Sequence, residues 1–254
     1  MNQLSKIILW LTVFSIAMGF METAVVVYLR EIYYPHGFNF PLAPIQPKIA
    51  VTEFLREAAT IIMLAGIGIL AGKNKMQRFA YFIYAFAIWD IFYYVFLKIL
   101  LNWPESLFTW DILFLIPVPW VGPVLAPCIV SLTMIVLAMS IILLQEKGFE
   151  VFFRLKEYLS LILGSIIIIG SFLWDYLRTI YNANTSTQIW HVSSKQSLLT
   201  DMASYVPEAY NWWIFSIGEA MILYGIICFI IRIKRDNEIE SSNDVRTHNT
   251  VFYN

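Results

Sequence analysis

The sequence predicts an all-α protein, a polytopic bundle of about six transmembrane helices with its N- and C-termini cytoplasmic. Three observations carry that expectation. The chain is 59% hydrophobic and only 14% charged over 254 residues, whereas a soluble domain carries roughly 25% charged residues. Six stretches come close to the ~20 apolar residues a spanning helix needs. Eleven of the seventeen Lys and Arg residues fall on one set of alternating segments, which the positive-inside rule makes cytoplasmic.

The first span is expected near 8–29. Lys6 followed by an apolar run resembles a signal peptide, but Glu22 and the continuing AVVVYL make the segment long enough to span. It reads as uncleaved, since no small-residue site follows it. The segment 30–48 holds Pro35, Pro41, Pro44 and Pro47 among clustered aromatics, which predicts an ordered, non-helical lid at headgroup depth. The second span is expected at 49–71, with Gly66, Gly68 and Gly72 permitting close helix contact. The third is expected at 79–101.

The fourth, near 119–144, follows the apolar stretch NWPESLFTWDILFLIPVPWVGP, in which Pro117, Pro119 and Pro123 forbid one continuous helix. A short helix and a proline bend are expected over 109–123. The fifth span is expected at 157–181, with Asp175 and Arg178 as an ion pair at its outer end. A polar segment with a short surface helix should follow over 182–211. The sixth span is expected at 212–233. Residues 1–235 thus form one transmembrane domain, and 236–254 a polar, disordered cytoplasmic tail.

Several function classes drop out. A formal net charge of −1 gives no basic excess for nucleic acid. Cys128 and Cys228 lie in apolar runs and read as packing thiols. No GxSxG or Walker loop is present, and GIGILAG lies inside a span, so it is not a phosphate loop.

The candidate site comes from ionisable residues inside spans, each of which costs about 2.5–3.5 kcal/mol at a helix centre. These are Glu22, Glu53, Arg56, Glu57, Asp90 and Glu219, with Asp111 beside the broken segment. At ~1.5 Å rise per residue, Glu22, Glu57 and Glu219 all lie about 10 Å below the outer surface. Scattered structural groups need not share a depth, so this layer predicts one polar, outward-facing pocket. Glu53 and Glu57 share a helix face, with Arg56 beside them, and Tyr93 and Tyr94 lie one turn from Asp90. The inner half reads as an apolar plug. Asp111 either caps a helix around 112–116 or faces the pocket. His36 and His191 on the outer side, with Glu22 and Glu57, would suit a divalent Zn, Mn or Fe ion, although no metal-binding motif is present.

The segments ETAVVVYLREIYYPHGF, EFLREAAT, WDIFYY and TWDILFLIPVPWVGPVLAP resemble a group of bacterial polytopic membrane proteins with no assigned activity, over about residues 20–130. The resemblance implies the cytoplasmic (inner) membrane of a prokaryote. Three functional readings remain open. The pocket holds a small ligand, lipid-like substrate or cation, with or without catalysis. Alternatively, the chain is a cation- or proton-coupled transporter, or a non-catalytic membrane subunit whose polar residues only join helices.

Overall fold

The computed structural model describes residues 2–116, 119–184 and 206–251. Along the chain run α1 (Gln3–Tyr33), α2 (Pro47–Ala71), α3 (Lys75–Leu101), β1 (Trp110–Phe114), β2 (Trp120–Pro123), α4 (Leu125–Glu146), α5 (Leu155–Asn184) and α6 (Trp212–Val251). All six helices are long and apolar enough to cross a membrane, the architecture of a multi-pass membrane protein. Ile62, Leu70 and Ile99 are each 70% exposed or more, an apolar surface suited to lipid rather than water.

Local chemistry sets the ends. The Asn2 side chain accepts from the Ser5 amide at 2.8 Å, and Asn74 accepts from Gln77 at 2.9 Å, satisfying amides that a helix start leaves orphaned. Pro47 opens α2, where no amide is needed. At the end of α3, Asn102 takes a left-handed conformation at φ 51°, and the Lys98 ammonium donates to the Pro104 carbonyl at 2.9 Å. The helix α6 continues to Val251, so residues 236–251, expected as a disordered tail, are helical backbone. An i,i+4 pair of Arg232 and Asp236 carries the helix past its apolar part.

The helix α3 is central, packing on α1, α2 and α4. Close approach needs small residues: a Cβ on Gly19 would lie 3.0 Å from the Trp89 carbonyl oxygen. Gly68 and Gly72 meet Arg78 and Phe82 as closely, whereas Gly66 faces open space. The helices α5 and α6 form a second unit, touching at Gly164 and Gly218. The units join through α4 against α6 and β2 against α5.

The segment 109–123 corrects the expectation of a short helix and bend. It is an antiparallel hairpin pairing Trp110 with Pro123, Asp111 with Gly122 and Ile112 with Val121, with a register irregularity between Ile112 and Phe114. Trp, Ile, Phe and Val favour strand, and Pro119 and Pro123 sit beside and at the end of β2, where no ladder amide is required. Asp111 therefore caps no helix. The fourth helix starts at Leu125 because the chain before it is used in β2. Trp120 stacks on Phe172 of α5, seating the hairpin against the second unit. The predicted Asp175 of α5 accepts from the Glu208 amide, in the chain leading into α6, at 3.3 Å. The surface helix expected within 182–211 falls largely outside the described residues.

Candidate functional site

A cavity of about 310 Å³ opens at the hairpin end of the bundle. It exists because α1 and α2 each pack mainly on α3, which leaves a cleft between them. Each helix presents one face to the cleft. Glu22, Val26, Arg30 and Tyr33 line it from α1 at intervals of three or four residues, and Ala50, Glu53, Glu57 and Thr60 do so from α2. Asp90, Tyr93 and Tyr94 come from α3, while Asp111 to Leu115 come from β1 and the residue after it. Phe38, Leu42 and Ile45 close it from the connection between α1 and α2. The wall is thus largely apolar, with a concentrated set of charges.

The charges are bridged in a definite order. Arg56 spans the cleft, donating from Nε to Glu53 Oε2 at 2.8 Å and from Nη1 to Glu22 Oε2. Glu57, one turn further along α2, accepts from the Leu115 amide at 2.9 Å. That bond ties the chain leaving β1 to the helix. Asp90 accepts from the Ser131 hydroxyl of α4 at 2.8 Å.

Arg30 Nη2 lies 3.6 Å from Asp111 Oδ1. Its guanidinium also sits 3.8 Å from the Trp103 ring centre and 4.4 Å from that of Phe38, both within cation–π range. Burial pushes the Asp111 carboxyl up to about 6, with the Arg30 charge acting in the opposite direction. Asp111 Oδ2 and Trp89 Nε1, both buried, have no hydrogen-bond partner among the described residues. Tyr34, at the rim, accepts the Ala43 amide at 2.8 Å through its hydroxyl and shapes the connection to α2.

Of the predicted residues, Glu22, Glu53, Arg56, Glu57, Asp90, Tyr94 and Asp111 meet on this wall. Glu219 does not. It accepts from the Thr133 hydroxyl between α4 and α6, away from the cleft, and its buried Oε2 has no hydrogen-bond partner among the described residues. Shared depth put it in the layer, but depth fixes height on a helix and not the direction it faces. His36 is exposed in the turn after α1 and is absent from the wall, and His191 lies outside the described residues. Among the described residues no group of three or more His, Cys, Asp or Glu side chains is placed to hold a metal ion. Glu22, proposed as a ligand, is engaged by Arg56 instead.

Sequence reasoning missed two features. Arg30 counts as a loop charge in the topology tally, yet it is buried and part of the wall. The i,i+4 spacing from Glu22 through Val26 to Arg30 carries that signal. The opposite end is not a purely apolar plug either. Arg232 of α6 donates from Nε to Glu157 Oε1 at 2.6 Å and from Nη2 to Glu157 Oε2 at 2.7 Å and the Phe152 carbonyl at 2.6 Å.

Fold and cavity together define a multi-pass helical bundle with a charged cleft at one end. No family model, curated protein or solved structure matches the chain. Function is therefore argued from the cleft itself.

Proposed function

We propose that the chain is a multi-pass protein of a prokaryotic cytoplasmic membrane, with both termini cytoplasmic, that binds a lipid-like amphiphile in this cleft from the outer side. One observation carries the reading: a cavity of about 310 Å³ whose wall joins Val26, Phe38, Leu42 and Ile45 to five carboxyls and two guanidiniums. Small-molecule sites are typically concave and mostly apolar, with a few convergent polar groups, and begin at about 300 Å³. An apolar wall suits a hydrocarbon chain, and the charged set suits a polar head. The Lys and Arg distribution supports the orientation, and the resemblance over residues 20–130 supports the membrane.

The transporter reading would need a polar track through the opposite half. That half holds Glu157 and Arg232 paired with each other, and the cleft found there among the described residues, beside Lys6, Trp10 and Leu11, has no carboxyl on its wall. The subunit reading would need every buried charge to be closed locally, and Glu57 and Asp90 have neutral donors only.

The test is lipid mass spectrometry on the full-length protein purified in a mild non-ionic detergent. One amphiphile should co-purify, enriched over bulk membrane lipid. The cavity-filling variant Ala50→Trp should lose it while keeping a cooperative thermal transition. Bulk-lipid composition in both proteins would reject the reading.

A further inference from the structure

A second cavity, of about 290 Å³, lies at the opposite end of the seam between α1 and α2. Both helices pack mainly on α3, so the seam opens again where α1 begins and α2 ends. Gln3, Lys6, Ile7 and Leu11 line it from α1, and Ile67 and Ala71 from α2. Trp10, also on its wall, is 68% exposed.

Polarity follows depth in this groove. Gln3 is the first residue of α1 and Ala71 the last of α2, so both mark the mouth. At the rise of a helix, Leu11 lies about 12 Å below Gln3 and Ile67 about 6 Å below Ala71. Lysine side chains extend their ammonium toward the membrane surface, so Gln3 and Lys6 form a polar rim. Ile7, Leu11 and Ile67 form the apolar part beneath it. Half of a bilayer's hydrocarbon is about 15 Å deep, so the groove matches the head and upper chain of one lipid. Trp10 supplies the amphipathic ring that favours headgroup depth.

Charge selects the head. Lys6 is exposed, is the only charged residue on this wall, and enters none of the ion pairs among the described residues. No carboxyl stands on the wall to answer it, in contrast to the cleft at the hairpin end. A zwitterionic head would bring its own cation up to Lys6. A head of net negative charge brings none, and one lysine at an anionic surface is worth about fivefold in affinity.

We propose that this groove binds one glycerophospholipid whose head carries net negative charge, with its phosphate at Lys6 and one acyl chain between α1 and α2. The site is separate from the hairpin-end cleft and does not rest on what that cleft binds.

The experiment places full-length protein in phosphatidylcholine nanodiscs containing a minor fraction of chain-brominated lipid, either phosphatidylglycerol or phosphatidylcholine. Bromine quenches tryptophan at contact range, and the difference from Trp10→Phe isolates the Trp10 signal. Brominated phosphatidylglycerol should quench Trp10 at about fivefold lower mole fraction than brominated phosphatidylcholine. Lys6→Gln should remove that preference and leave quenching by phosphatidylcholine unchanged. Ala71→Phe, which fills the groove without altering charge, should also reduce the preference. Lys147→Gln removes an exposed lysine that lies off this wall and should leave the preference intact. Native mass spectrometry from a mixture of the two lipids should retain one more phosphatidylglycerol on the wild type than on Lys6→Gln, a readout independent of how Ala71→Phe folds. Equal quenching by the two lipids overturns the proposal. So does a preference that Lys147→Gln lowers as much as Lys6→Gln does, because charge then acts without a site. Trp10 shielded from both lipids would mean that protein covers the groove, and overturns it as well.

Discussion

At the end of the bundle away from the hairpin, the Glu157 carboxylate receives two N–H bonds from Arg232 at 2.6 and 2.7 Å, and the Arg154 amide donates to it at 2.9 Å. The same guanidinium also bonds the Phe152 carbonyl, lies 3.6 Å from Asp236 and sits over the Phe152 ring. At the hairpin end the two arginines reach three of the five carboxylates, leaving Glu57 and Asp90 to neutral donors and Asp111 Oδ2 to none among the described residues. Both clusters are buried, but only the first is closed at its carboxylate: both Glu157 oxygens have donors, although Arg232 Nη1 has no hydrogen-bond partner among the described residues. A closed carboxylate has spent its acceptors on the fold, and this one reads as a clamp between α5 and α6. An open one keeps capacity for something else. Burial and charge do not separate a structural cluster from a binding site; the state of the remaining lone pairs does.

The largest effect should come from breaking the closed cluster. Arg232→Ala leaves Glu157 buried without its cation, and losing one partner of a buried pair typically removes about 3–5 kcal/mol. Thermal or denaturant unfolding in detergent should show this loss. Glu157→Ala combined with Arg232→Ala should recover part of it, because no uncompensated carboxylate remains. A double variant no better than the single one would mean that the Phe152 carbonyl and ring contacts, not the pair, hold Arg232 in place.

The open cluster should respond less to the same treatment. In Arg56→Gln, Glu22 and Glu53 lose their shared cation, but Arg56 is 21% exposed along its side chain and the cleft admits water. A loss of about 1–2 kcal/mol is expected, and amphiphile binding should change more than stability does. A loss as large as that of Arg232→Ala would dissolve the contrast between the two ends.

Proton linkage gives a third test. Burial raises the Asp111 carboxyl to about 6, against about 3.9 in an unfolded chain. The folded state then holds the proton more tightly than the unfolded one. Asp111 therefore supports stability fully below about pH 4 and loses that support as pH rises through 6. One such group gives a slope of at most about 1.4 kcal/mol per pH unit. Asp111→Asn should remove its share between pH 4 and 6 and leave the curve above unchanged. An unchanged curve would mean that Asp111 does not titrate there.

Much of the bundle is legible in the sequence because lipid-length apolar runs are a one-dimensional signal. All six helices overlap the predicted stretches, and Pro47, Asn74 and Asn102 mark ends that local chemistry explains. The hairpin was missed because prolines forbid a helix without saying what replaces it. The aromatic and β-branched residues of Trp110–Phe114 and Trp120–Val121 are the available signal. Seven of the predicted residues meet because spacing on a helix reveals a shared face, as with Glu53 and Glu57. Pairing across helices is not visible that way. Arg56 with Glu22, Arg30 with Asp111 and Arg232 with Glu157 join residues 34, 81 and 75 positions apart, so only the fold distinguishes a closed cluster from an open one.

The smallest effect is expected at Glu219, and it tests whether openness alone marks a site. Its Oε1 accepts from Thr133 and its Oε2 has no hydrogen-bond partner among the described residues, so by lone pairs it resembles the cleft. It differs in lying off the cleft wall, with a hydroxyl and no cation bonded to it among the described residues. Gln at this position keeps the size of Glu219 and an oxygen acceptor for the Thr133 hydroxyl. Glu219→Gln should therefore shift stability by less than about 0.5 kcal/mol and leave amphiphile binding unaltered. Glu219→Leu should fare worse, because the Thr133 hydroxyl then loses its acceptor across the interface. If Glu219→Gln instead abolished binding while the protein stayed folded, the site would extend through α4, and Ser131 and Thr133, two residues apart on that helix, would be the link between Asp90 and Glu219.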